Sequence, residues 1–128
     1  MTLIKSRERV KALGEVFTPP ELIREMLDRL PPSAWERDKR WLEPSCGNGN
    51  FLVEIVKERR RRGWETHKLI DNLYAIDIMP DNIAEAHARL LDTLLQMGLD
   101  TDMIGAVKEI LRRQIVVGDA LKDITQFS

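Results

Sequence analysis

Residues 41–52 read WLEPSCGNGNFL, and this stretch decides the fold. A short apolar run ends in Glu43, glycines follow at two positions, and an apolar helical pattern begins near Phe51. The order strand, glycine turn, helix is typical of open α/β sheets, which bind ligands just outside the carboxyl ends of their strands. Gly47 and Gly49 lack a Cβ and are expected to let the backbone come close to a ligand. Neither the Lys-Ser/Thr of a phosphate-binding P-loop nor the dinucleotide pattern GxGxxG is present.

The sequence on both sides of this turn alternates between helical and strand patterns. Thr18 and Glu21 have the spacing of a capping box, which predicts a helix with Pro19 and Pro20 in its first positions. Gly98 is expected to end a later helix. A β-α-β-α-β order favours a parallel sheet with right-handed crossovers. The predicted strands are residues 40–43, 72–76 and 115–117, and the predicted helices are residues 19–30, 50–62, 80–97 and 102–113.

The length of 128 residues indicates one domain at most, and the sequence has no internal repeat. Residues 1–35 are expected to form an N-terminal helical segment, and residues 36–128 the ligand-binding unit. A single cysteine excludes an internal disulfide and fits a reducing cytoplasm. That cysteine and two separated histidines are too few for a zinc site. A net charge of -1 gives no overall basic field for nucleic acid, and no apolar run is long enough for a membrane span.

Two motifs carry a resemblance to a known family. Residues 43–52, EPSCGNGNFL, resemble the cofactor motif [D/E]-P-x-C-G-x-G-x-F-L of the adenine-N6 DNA methyltransferases. Residues 14–19, GEVFTP, resemble the segment that precedes this motif in the same family. The likeness is greatest to modification subunits of type I restriction systems. It implies a Rossmann-like methyltransferase fold with a partial sheet of about three strands, and S-adenosylmethionine as the cofactor.

Each predicted strand is followed by an acidic residue, and parallel strands place these residues at one edge of the sheet. The resemblance implies that Glu43 meets the methionine amine, Asp77 the ribose hydroxyls and Asp119 the adenine amino group. S-adenosylmethionine carries all three groups. Asp77 and Asp119 also fit simple helix-start or turn positions. The full set of expected cofactor-binding residues is Phe17, Thr18, Pro19, Glu43, Ser45, Cys46, Gly47, Gly49, Phe51, Asp77, Ile78, Asp119, Ala120 and Leu121.

Several other residues are expected to be structural. Cys46 has no basic partner nearby in the sequence, so it is interpreted as a small packing residue of the turn and not as a nucleophile. His67 and His87 are expected at the surface. The run of arginines at 59–62 could touch phosphates, but a solvated helix end is the preferred interpretation.

The family's catalytic motif, [D/N/S]-P-P-[Y/F/W], is missing from the sequence. Pro-Pro occurs only at 19–20 and 31–32, and no aromatic residue follows either pair. The resemblance thus covers only the cofactor half of the catalytic domain. This chain alone is expected to be inactive and to meet DNA only through a longer chain or a partner subunit.

Two further hypotheses remain open: a stand-alone non-catalytic module that binds the cofactor or docks on a modification complex, and a complete methyltransferase for a small substrate. If the chain is the cofactor half of a methyltransferase, the strand before the glycine turn keeps an unpaired edge. We expect a homodimer or a complementing catalytic half to cover it.

Overall fold

Three parallel strands form the sheet in the part of the chain that the computed structural model describes, residues 18–44 and 46–123. They are β1 (Trp41–Glu43), β2 (Leu73–Asp77) and β3 (Ile115–Val117), in the spatial order β1-β2-β3. β2 pairs in parallel with both neighbours. The predicted α/β fold with a partial parallel sheet is confirmed, and the strand bounds agree to within one residue.

Helices follow or precede every strand, as the 3.6-residue periodicity predicts. Ile23, Leu52, Val56, Leu90 and Leu94 are fully buried and join the helices to the sheet in one apolar core. Short 3₁₀ turns cover Pro32–Trp35, Thr66–Lys68 and Thr101–Met103. The α-helices are α1 (Pro20–Asp28), α2 (Asn50–Arg61), α3 (Pro80–Gln96), α4 (Ile104–Gln114) and the single turn α5 (Ala120–Asp123).

The start of α1 differs from the capping-box prediction. Pro19, not Thr18, occupies the N-cap position, and no side chain caps the helix. Pro19 is extended, with ψ near 149°, because a residue that precedes proline is driven away from the helical region. The second proline therefore moves the helix start by one residue. Pro31 likewise drives Leu30 away from the helical region, and α1 ends at Asp28 instead of the predicted Leu30.

Glycine ends the two long helices. Gly63 and Gly98 have φ near +90°, and each follows the last residues of a helix, α2 and α3 respectively. The residue after each glycine donates its backbone N–H to the carbonyl oxygen of the residue five positions earlier. Trp64 donates to Arg59, and Leu99 donates to Leu94. These are Schellman ends, and the prediction for Gly98 is confirmed.

The arginine run at the end of α2 is not uniformly solvated. Arg59 is 1% exposed, and its Nη1 donates to the carbonyl oxygens of Leu69 and Asp71 at 2.9 and 2.8 Å. Its guanidinium lies over the Trp64 ring, 4.4 Å from the ring centroid. Burial lowers the pKa of Arg59 to about 10, against the opposing charge of Asp71, so the group stays charged at neutral pH. The solvated interpretation is therefore wrong for Arg59, which fastens α2 to the loop before β2.

His87 also differs from its prediction as a surface residue. It is half-buried, and its Nε2 lies 2.8 Å from the carbonyl oxygen of Ile115 at the start of β3. His67, by contrast, is exposed as predicted. No helix among the described residues has the length and apolar character needed to cross a membrane. Within the same residues, no cluster of three His, Cys, Asp or Glu side chains could hold a metal ion.

Candidate functional site

The turns after β1 and β3 are both fastened to the carboxyl end of β2. The backbone N–H of Cys46 donates to the carbonyl oxygen of Ile76 at 3.0 Å. On the other side of β2, the N–H of Gly118 donates to the carbonyl oxygen of Asp77 at 2.9 Å. The strand ends that carry Glu43, Asp77 and Asp119 therefore meet at one edge of the sheet, where open α/β folds bind ligands.

Asp77 is the structural centre of this edge. It is 6% exposed, and its Oδ2 accepts the backbone N–H of Gly47 at 2.9 Å. Its Oδ1 accepts the N–H of Met79 at 2.9 Å and the side-chain amide of Asn82 at 3.1 Å. A carboxylate has about four acceptor positions, and these bonds use three of them. Asp77 therefore holds the glycine turn and the start of α3 together, a role that its position after a strand does not reveal.

The two glycines of the turn serve different purposes. Gly47 has φ +53° and directs its N–H at Asp77. Gly49 has φ +91°, and a Cβ at this position would lie 3.1 Å from both the Cα and the Cβ of Ala86. The sequence suggests that a ligand comes close to the backbone at Gly49. In the structure, helix α3 occupies that position instead. The turn is thereby packed tightly against α3.

Glu43 and Cys46 lie on the β1 side of the site. Burial raises the pKa of the Cys46 thiol far above its usual value, and the charges of Asp77 and Glu43 raise it further. The thiol is therefore protonated and unreactive at neutral pH, in line with a packing role. Glu43 is half-buried and also lines an apolar cavity of about 270 Å³ beside β1, whose wall includes Phe51.

The β3 side of the site is more open. Asp119 Oδ1 accepts the N–H of Leu121 at 2.9 Å, and the Asp119 N–H donates to Asp123 at 2.8 Å. Asp119 thus starts the helical turn α5, as the simple turn interpretation predicts. The side chains of Ile78 and Leu121 are 54% and 95% exposed. Both are available at the open edge, although in this structure Leu121 covers no part of it.

A hydrogen-bonded chain that sequence reasoning missed joins the N-terminal segment to the turn. Arg89 Nη1 donates to the carbonyl oxygen of Asn48 at 3.0 Å and to Asn50 Oδ1 at 2.6 Å. Asn50 Nδ2 in turn donates to the carbonyl oxygen of Thr18 at 2.9 Å. The sequence does offer one indication of such contacts. Polar residues interrupt the apolar stripe of α3, and one of them, Asn82, is fully buried.

The structure brings some of the residues predicted for the site together and places others elsewhere. It brings together Glu43, residues 46–49, Asp77 and Asp119, and it places Thr18 beside the turn. Pro19 occupies the N-cap position of α1, Ala120 begins α5, and Phe51 lines the apolar cavity beside β1. The predictions for Phe17 and Ser45 lie outside the described residues.

Comparison with known proteins settles the family. The model of the family described as N-6 DNA Methylase matches residues 3–103, well over half of the chain. The chain belongs to the N-6 DNA methylase family. This confirms the resemblance drawn from residues 14–19 and 43–52, and the matched region contains the glycine turn, Asp77 and all of α3.

Two relatives of this chain are named as type II methyltransferases. Type II methyltransferase M.PaeR7I of Pseudomonas aeruginosa is 28% identical over 121 residues, which cover 88% of this chain and 21% of the relative. Type II methyltransferase M.VspI of Vibrio sp. (strain 343) is 37% identical over 65 residues, 51% of this chain and 14% of the relative. The chain thus spans about a fifth or less of these relatives' length. No solved structure matches it significantly.

Proposed function

We propose that the chain binds S-adenosylmethionine and forms the cofactor half of an adenine-N6 DNA methyltransferase of a restriction-modification system. One observation carries the proposal: the turns that follow β1 and β3 are both hydrogen-bonded to the end of β2. Three acidic residues therefore leave the sheet at one edge. Family membership implies a methyl donor, and S-adenosylmethionine supplies an activated methyl group when bound.

The residues at this edge fit the chemistry of that cofactor. Glu43 offers a carboxylate to the methionine ammonium, and charge-assisted hydrogen bonds of this kind are the stronger ones. Asp119 keeps acceptor positions for the adenine amino group, since only part of its carboxylate is used in capping. The exposed Ile78 side chain gives the adenine ring an apolar surface. In this proposal the backbone N–H groups of the turn lie beneath the methionine and ribose.

A buried polar atom in the turn supports the same fit. Asn48 is 5% exposed, and its Oδ1 has no hydrogen-bond partner among the described residues. Such an atom carries a desolvation cost unless a water or ligand donates to it. Asp77 fits less simply, because Gly47, Met79 and Asn82 use most of its acceptor positions. We propose that Asp77 holds the turn and contributes at most one further bond to the ribose.

Isothermal titration calorimetry with S-adenosylmethionine tests the proposal through Glu43→Gln. Loss of a charge-assisted hydrogen bond is worth roughly 1.5–3 kcal/mol, so the dissociation constant should rise by about one to two orders of magnitude. Glu65→Gln is the matched control, because Glu65 is exposed and lies in the loop after α2, away from the glycine turn. Equal affinities for the wild-type chain and Glu43→Gln would show that Glu43 does not meet the ammonium.

Methyl transfer to DNA belongs in this proposal to the whole methylase. The Pro-Pro-aromatic motif that holds the target adenine would come from the complementing half, together with the DNA-recognition region. The chain alone is then expected to bind cofactor without methylating DNA.

The free edge of β1 is where we propose that the complementing half attaches, by adding a strand. Among the described strands, β1 pairs only with β2, and Leu42 on β1 is 42% exposed. Met26 of α1 and Leu30, which follows α1, line the apolar cavity beside this edge and are also exposed. An unpaired apolar edge is a template for association.

Sedimentation velocity tests the attachment edge. Without the complementing half, the same apolar edge should pair with a second copy, so the isolated chain should self-associate as its concentration rises. Leu42→Lys should suppress this association, because lysine on an edge strand opposes pairing. A wild-type monomer at every concentration would contradict the proposal.

A further inference from the structure

Asn50 lies where three parts of the molecule meet. It is the first residue of α2, it follows the glycine turn, and its side chain reaches both Arg89 of α3 and the carbonyl oxygen of Thr18. Asn50 is 4% exposed. Its Oδ1 and Nδ2 atoms therefore make their contacts away from bulk water, where each donor needs an acceptor and each acceptor a donor.

The chemistry of the neighbours fixes the orientation of the Asn50 amide. A guanidinium can only donate, so the atom facing Arg89 must be Oδ1. A backbone carbonyl can only accept, so the atom facing Thr18 must be Nδ2. Asparagine is the residue of this length that carries one acceptor and one donor. Aspartate has no donor, and leucine, of similar size, has neither group.

From this geometry we propose that Asn50 is a positioning residue that docks the N-terminal segment onto the glycine turn. Arg89 sets the orientation of the Asn50 amide by holding its oxygen, and it holds the turn itself through the carbonyl oxygen of Asn48. The position of Thr18 over the turn is therefore controlled from α3. This inference rests on the proposed function in one respect: docking of Thr18 is expected to strengthen cofactor binding.

Asn50→Asp separates the contact with Arg89 from the contact with Thr18. The carboxylate keeps an acceptor for Arg89, but it places an oxygen against the carbonyl oxygen of Thr18 and cannot donate to it. An acidic residue in the first turn of α2 also suits the helix dipole, so the fold should persist. Asn50→Leu removes the donor without adding charge. Any effect that both variants share is then due to the lost donor and not to the new charge.

Hydrogen exchange without cofactor is the primary measurement. Both variants should speed amide exchange at Leu22 and Ile23, whose N–H groups donate to the carbonyl oxygen of Pro19 in the first turn of α1. The increase should be about tenfold relative to wild type, as expected for one lost buried hydrogen bond. Asn72→Asp is the matched control. It removes a side-chain donor to the carbonyl oxygen of Arg37, at the opposite end of the sheet, and should leave this exchange unchanged. Wild-type exchange rates in both Asn50 variants would overturn the docking role.

Calorimetry with S-adenosylmethionine then tests the link to the cofactor. Both Asn50 variants should bind it about tenfold more weakly than wild type, if the loss is again that of one hydrogen bond. Faster exchange with unchanged affinity would overturn the coupling of docking to cofactor binding. If the wild-type chain bound no S-adenosylmethionine while the variants exchanged faster, the proposed function would fail and the docking role of Asn50 would stand.

Discussion

Gly49→Ala should lower the free energy of unfolding by roughly 2–4 kcal/mol, the sum of backbone strain and overpacking. Gly49 has φ +91°, a conformation that costs a non-glycine residue energy. The added Cβ would also lie 3.1 Å from two atoms of Ala86, one of them in the backbone of α3. Because helix α3 cannot give way like a flexible side chain, the turn and the helix must move apart. Urea denaturation measures the change.

Gly63→Ala is the matched control for this prediction. Gly63 has φ +90°, almost the same as Gly49, but a Cβ there would meet nothing within 4 Å. It should therefore show only the backbone cost, about 1–2 kcal/mol. The difference between the two variants measures the packing of the turn on Ala86. Equal losses in both variants would show that α3 does not press against the turn.

Arg59→Ala should lower the free energy of unfolding by roughly 3–5 kcal/mol, because buried carbonyl oxygens lose their donor and a large core side chain is removed. The substitution leaves the carbonyl oxygens of Leu69 and Asp71 without their donor. It also empties the space against the Trp64 ring. Arg59→Met should recover part of the loss, because methionine refills the apolar volume but donates no hydrogen bond. Urea denaturation again gives the values.

Arg61 is the control for Arg59, two residues along the same helix. Its side chain is half exposed and reaches Glu58 at 3.5 Å. An exposed pair of this kind contributes little, so Arg61→Ala should change the free energy of unfolding by no more than about 0.5 kcal/mol. If Arg59→Ala were as mild as Arg61→Ala, the burial of the Arg59 guanidinium would be refuted.

The elements of the fold follow from local patterns in the sequence. Periodic apolar residues mark the long helices, and glycine or proline marks where they begin or end. The strands are short apolar runs, and their parallel arrangement follows from the helices between them. That Glu43, Asp77 and Asp119 leave the sheet at one edge is a consequence of this topology alone.

The interactions inside the site could not be predicted in the same way, because they join residues far apart in the sequence. Asp77 bonds to Gly47, thirty residues earlier, and Arg89 bonds to Asn50, thirty-nine residues earlier. Arg59 lies in a run of four arginines, and its helical spacing from Ile55 and Val56 places it on the buried face of α2. That spacing does not reveal which backbone carbonyl oxygens its guanidinium reaches.

The most direct test of a cofactor site at the joined strand ends is an NMR titration of the backbone amides with S-adenosylmethionine. The shift changes should concentrate in residues 46–50, 77–79 and 118–121. Changes instead in the groove of about 610 Å³ between α3 and α4, whose lining includes Leu91 and Leu95, would place the ligand elsewhere. That result, or the absence of any change at saturating cofactor, would contradict the site at the strand ends.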